Sequence, residues 1–226
     1  MLVYKNIPNI VSILGVVPLA LLFLEDGFQY LLPLILYNNV MDDLDGILAA
    51  KLNLKSAFGA ALDNVCDAVA HILVVMAVGM HYGGICALLS LVAAISILLR
   101  VAFRLTPASG VSGGSPTNEL MRHILFALVV AEYFEISPEP FLAAVFILNA
   151  LSMQVPYPLR YSIRSLTTSV TAVAGVNVAL GVTWWFPITA PPIAACFMAT
   201  YLYSLVAGGL SWRRGRPGIA KGPTAG

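Results

Sequence analysis

Eight predominantly apolar stretches of membrane-spanning length recur along this chain, near residues 8–24, 28–50, 57–80, 84–105, 117–135, 140–157, 166–187 and 190–210, each bounded by Gly, Pro or charge. A bilayer core of about 30 Å takes roughly 20 such residues as a helix, and in lipid a helix satisfies its own backbone polar groups. The pattern therefore predicts an all-α, polytopic integral membrane bundle of about eight transmembrane helices in a single membrane domain, residues 1–226. Composition agrees: only 10% of the residues are charged, against roughly 25% in soluble domains.

Placement of the charges sets the expected orientation. With the N-terminus cytoplasmic, all twelve Lys and Arg residues, from Lys5 to Lys221, fall on or near the cytoplasmic side. Glu25, Asp26, Glu132, Glu135 and Glu139 fall opposite, where the loops carry no basic residue. This positive-inside asymmetry and an even span count together predict cytoplasmic N- and C-termini. Met1–Leu24 reads as a first membrane helix and not a removable signal peptide. The basic segment 211–226 reads as a cytoplasmic tail that favours anionic lipid headgroups, and Trp184–Trp185 as part of an outer aromatic belt. Cys66, Cys86 and Cys196 lie far apart in apolar segments, which suggests packing and neither a disulfide framework nor a CxxC site. A net charge of +1 gives no sign of a nucleic-acid partner.

Against this background the stretch Met41–His71, MDDLDGILAAKLNLKSAFGAALDNVCDAVAH, carries five aspartates. Asp42 and Asp45 are spaced to share one face of the second helix, and Asp63 and Asp67 one face of the third. A charge at the bilayer centre costs roughly 2.5 to 3.5 kcal/mol on insertion scales, so these groups must be shallow, hydrated, protonated or bound to cations. The short KLNLKS connection keeps Asp45 and Asp63 within about two to three helical turns of the surface, which predicts an aqueous pocket open to the cytoplasm. Four carboxylates on facing helices suit hard divalent ions such as Mg²⁺ or Mn²⁺. Gly46, Ala49 and Gly59 withhold side-chain bulk where a ligand can approach the backbone. Asp43 lies about 100° from Asp42 around the helix, so it is expected to face Asn38, Asn39 or another helix instead of the metals and receives no catalytic role.

These residues carry a resemblance. DDLDGILA followed by GAALDNVCD fits the pattern D-x-x-D-G-x-x-A … G-x-x-x-D-x-x-x-D and resembles the CDP-alcohol phosphotransferase family. The resemblance implies a membrane enzyme that binds CDP-diacylglycerol with two divalent cations, Mg²⁺ or Mn²⁺, and lets a small alcohol displace CMP. It implies that Asp42, Asp45, Asp63 and Asp67 are metal ligands, that Asp67 also accepts the alcohol proton, and that Asp42, Asp45, Gly46, Ala49, Gly59 and Asp63 bind the CDP group. It further implies a six-helix core over 1–165 followed by two additional C-terminal helices over 166–210, a prokaryotic cytoplasmic membrane, and a homodimer. Ala50 stands where the family commonly has Arg, and Lys51 follows it.

Looser similarity between Asn6 and Arg164, in NIPNIVSILG, LLRVAFRL, GGSPTNELM and QVPYPLR, ranks the acceptors as serine, then choline, then glycerol phosphate. A charged acceptor needs a cationic seat, for which Arg100, Arg104, Arg122, Arg160 and Arg164 are candidates; topology and snorkelling are the alternative. His71 continues the line Gly59, Asp63, Asp67 and is expected to reach Asp67 or the acceptor, or else to bond a neighbouring helix. Ser115–Pro116 is a candidate helix start. Two other classes compete: an ion- or proton-coupled transporter, because intramembrane carboxylates also mark ion paths, and a non-catalytic lipid-binding protein.

Overall fold

The computed structural model describes residues 2–105, 117–167 and 169–214. Among these, all regular structure is helical, with eight helices of ten or more residues. They are α1 (Ile7–Val16), α2 (Leu31–Lys51), α3 (Ala57–Tyr82), α4 (Gly84–Leu105), α5 (Thr117–Tyr133), α6 (Glu139–Met153), α7 (Val170–Trp185) and α8 (Ala190–Arg213). Ser115–Pro116, the Gly/Ser run beside it and the tail beyond Arg214 lie outside the described residues.

Among the described residues, three segments are long and apolar enough to cross a bilayer on length and composition alone: Ala57–Tyr82, Gly84–Phe103 and Pro187–Arg213. Three more are apolar but shorter, Ile7–Phe23, Glu139–Met153 and Val170–Trp185. The first of these departs from the sequence expectation of one α-helix. At Val17–Phe23, with Pro18 in its first turn, α1 tightens into a 3₁₀ helix. Since 3₁₀ rises about 2.0 Å per residue against 1.5 Å, Ile7–Phe23 rises about 29 Å, nearly the bilayer core. Helix α6 stops at Met153, earlier than residue 157, and α7 starts at Val170, later than 166, where Ser169 accepts a hydrogen bond from the Ala172 amide at 3.1 Å.

The bundle is built around α5, whose residues 118–127 are all buried. A helix buried on every side is a central pillar, and α5 packs against α2, α3, α6, α7 and α8. The outer face of α4 shows the opposite of a soluble surface: Leu88, Leu91, Val92, Ile95, Leu98 and Leu99 are exposed while Cys86, Ser90, Ala93 and Ile97 are buried. Small residues at three of these four inward positions and large apolar residues outward suit a lipid solvent. At the α3–α4 contact a Cβ on Gly79 would stand 1.9 Å from Ser90 Oγ, so that crossing requires glycine. Trp184 and Trp185 are exposed and meet edge to face at the end of α7.

The turn between α2 and α3 fixes the geometry of the acidic region. Asn53 takes φ 53°, its amide bonds Ala50 O at 3.3 Å, and the Leu54 amide bonds Ala49 O at 3.0 Å. That is the Schellman arrangement with asparagine in the left-handed position. Three residues later Ser56 caps α3, accepting from the Gly59 amide at 2.9 Å. The chain thus reverses within a few residues and sets the last turns of α2 beside the first turns of α3.

Candidate active site

Helices α2 and α3 bring three of the four predicted carboxylates together. One oxygen each of Asp42, Asp63 and Asp67 lies within 4.8 Å of the others, all three residues being half-buried. Two like charges at that spacing repel by about 3 to 4 kcal/mol at an effective dielectric near 20. An all-oxygen, trianionic cluster of this size fits a hard divalent cation, which would offset that repulsion. Asn118, at the start of α5, donates to Asp42 Oδ2 at 2.8 Å. A carboxylate has about four lone-pair positions, so that bond leaves Asp42 capacity for a cation.

The fourth, Asp45, is placed differently. It is buried, and Ser12 Oγ of α1 donates to its Oδ2 at 2.5 Å. Asp45 and Asp63 line a cavity of about 320 Å³ together with Gly46, Ala49, Gly59, Lys55, Ser56 and, from α1, Pro8, Asn9 and Ser12. The cavity therefore abuts the three-carboxylate cluster through the shared Asp63.

The glycines have distinct jobs. A Cβ on Gly46 meets nothing within 4 Å, so Gly46 keeps space open. A Cβ on Gly59 would stand 3.1 Å from Ser56 Oγ and 3.2 Å from Asn9 Oδ1, so Gly59 lets α1 close the cavity wall. The basic residue lining the cavity is Lys55, and exposed Lys51 is not part of the lining.

Among the predicted residues whose side chains are described, the rest belong to neither the cluster nor the cavity lining. Arg100 is buried, and its Nη1 donates to the carbonyls of Met153 at 3.4 Å and Val155 at 3.3 Å, where α6 ends and orphan carbonyls need donors. Arg122 is 1% exposed; its Nε donates to Asn39 Oδ1 at 3.3 Å, its Nη1 pairs with Glu119 at 3.5 Å, and its guanidinium lies 6.0 Å from the Phe197 ring centre. Arg160 is exposed. The side chains of Arg104 and Arg164 lie outside the described residues. His71 is buried, and its Nδ1 bonds the Asp67 backbone carbonyl one turn back on its own helix.

Sequence reasoning missed Ser12, Asn9, Asn118 and Lys55. Three of them left a signal: Ser12 and Asn9 are polar positions in an apolar first span, and Lys55 sits in the short turn just before Gly59. Asp43, unassigned from sequence, is buried and accepts from Asn177 Nδ2 of α7 at 2.8 Å.

Comparison with known proteins points the same way. A stretch of 83 residues is 37% identical to an uncharacterized protein of Aquifex aeolicus, covering 35% of this chain and 42% of that one. A stretch of 67 residues is 40% identical to a CDP-diacylglycerol--glycerol-3-phosphate 3-phosphatidyltransferase of the same organism, covering 28% of this chain and 38% of that one. The chain thus spans about two fifths of the length of these curated relatives. No solved structure is a significant match. The family model for CDP-alcohol phosphatidyltransferases matches residues 5–213, nearly the whole length, and the chain belongs to that family of membrane transferases.

Proposed function

We propose that this protein transfers the phosphatidyl group of CDP-diacylglycerol to a small alcohol, L-serine in the first instance, releasing CMP. The observation that carries this reading is the Asp42–Asp63–Asp67 cluster beside a cavity walled by Gly46, Ala49 and Gly59, in a chain of this family. Serine is supported by the order of the similar segments between Asn6 and Arg164. Glycerol 3-phosphate is the second reading, favoured by the relative named for that acceptor.

In this reading Asp42, Asp63 and Asp67 hold divalent cations, Mg²⁺ or Mn²⁺, and Asp45 faces the same ligand from the cavity side. Such ions, when bound, supply charge neutralisation to a diphosphate. The cavity residues seat the cytidine end, with Gly46 leaving room and Lys55 adding a positive charge to an acidic wall. Asp67 takes the proton of the acceptor hydroxyl as its oxygen forms the new bond to phosphorus and the bond from that phosphorus to CMP breaks. The positive-inside pattern of the sequence supports a cytoplasmic opening, and a prokaryotic membrane rests on the resemblance. Homodimer formation rests on the resemblance alone.

The test is a panel. Purified protein with CDP-diacylglycerol and Mn²⁺ is offered serine, choline, glycerol 3-phosphate or inositol phosphate separately, and CMP is measured. Release with serine supports the first reading and release with glycerol 3-phosphate alone the second. Release with none of them counts against the transferase.

A further inference from the structure

We propose that Asn118 and Asn177 are positioning residues that clamp α2 from two sides, α5 and α7, and so hold Asp42 against Asp63 and Asp67; this inference rests on the metal-site reading above. Asp42 and Asp43 are neighbours whose side chains leave the helix about 100° apart. Asp42 accepts from Asn118 of α5 at 2.8 Å. Asp43, 7% exposed, accepts from Asn177 of α7 at 2.8 Å. Anchors at two azimuths of one helix fix its rotation about its own axis as well as its position. Rotation is the coordinate that matters, because a carboxylate swung around α2 no longer faces α3.

The α7 anchor is tied into the bundle core. Asn177 Oδ1 accepts from Asn39 Nδ2 at 2.7 Å, and Asn39 Oδ1 accepts from Arg122 Nε at 3.3 Å. Arg122 in turn pairs with Glu119, both being 1% exposed. One hydrogen-bonded line therefore runs from α7 through α2 to α5, one turn from the Asn118–Asp42 bond. A buried polar line of this kind is costly when broken at one member, which makes α2 stiff where the metal-facing carboxylate projects. Helix α7 thereby acquires a function at a site to which it contributes no carboxylate of the cluster.

Mn²⁺ binding to the purified full-length protein in lipid nanodiscs, without nucleotide, followed by electron paramagnetic resonance, tests the clamp. Asn118→Leu, with Asn118→Ala alongside should the branched side chain not be accommodated, weakens Mn²⁺ affinity about tenfold, the scale of losing a group that orients a metal ligand. Asn177→Leu does the same. The pair Asp43→Leu with Asn177→Leu removes the buried charge together with its partner, so weak binding there cannot arise from an unpaired carboxylate. Thr183→Val is the control: Thr183 is buried on α7 and bonds its own helix at Ala179 O, and its loss leaves the affinity unchanged. If wild type binds Mn²⁺, Asp63→Asn abolishes binding, and the asparagine and paired variants bind like wild type, the clamp is wrong and the metal site stands. Wild type that binds no Mn²⁺ overturns both.

Discussion

Asp42 and Asp43 are adjacent on one helix and lie in opposite environments. Asp42 is half-buried, and two further carboxylates stand within 4.8 Å of it. Asp43 is buried among amides, with Asn177 Nδ2 at 2.8 Å and Asn39 Nδ2 at 3.5 Å. A carboxylate kept among like charges is maintained against electrostatic cost and needs a cation to justify it. One outside the cluster, bonded to amides of its own and a neighbouring helix, is a structural fastening. The difference separates what the charge is for on each side: ligand on the α3 side, helix packing on the α7 side.

Substitution at the two faces should separate them most widely. Asp67→Asn, which removes the proposed proton acceptor and one member of the cluster, is expected to lower kcat by about 10²- to 10⁴-fold. Asp43→Asn keeps an acceptor for Asn177 and is expected to leave kcat within about threefold at saturating metal, the scale of losing part of one hydrogen bond. Equal losses in a CMP-release assay would erase the distinction between the faces.

The cavity offers the next contrast. Gly46→Ala places a Cβ where nothing lies within 4 Å, so it should raise KM for the CDP donor by up to about tenfold, equivalent to about 1.4 kcal/mol, while the melting temperature does not fall. Ser12→Ala removes the donor 2.5 Å from Asp45 and should also raise KM, by about tenfold at most if the bond is charge-assisted. A Ser12→Ala enzyme with unchanged donor KM would detach α1 from the site. The smallest effect is expected at the turn: Lys55→Ala raises donor KM up to about fivefold, the range of an exposed ion pair, and Lys51→Ala does not. Both follow from initial rates at varied CDP-diacylglycerol.

Much of this was legible in the sequence. Apolar runs of membrane length announced the helices, and spacings of three and four put the aspartates on shared faces, because helical periodicity is local. What escaped depended on packing over distance. The partner of Asp43 lies 134 residues away, and that of Asp45 lies 33 residues away; no local pattern pairs them. That Lys55 lines the cavity while Lys51 does not follows the turn in which Asn53 takes φ 53°. The lone Asn177 in an otherwise apolar run was the visible hint, since a polar side chain in lipid needs a partner. Arg100 and Arg122 illustrate the converse: their residue type suited an anionic acceptor, while the structure sets Arg100 against helix-end carbonyls and Arg122 against Asn39 and Glu119.

The central claim is that the Asp42–Asp63–Asp67 cluster makes this chain a metal-dependent phosphatidyltransferase. CMP release from CDP-diacylglycerol, with serine as acceptor, measured across a Mn²⁺ titration for wild type and Asp63→Asn, tests it most directly. In wild type, release should rise with Mn²⁺ and vanish on chelation, and Asp63→Asn should show no metal-dependent release. Turnover that is indifferent to metal, or that survives intact in Asp63→Asn, would contradict it.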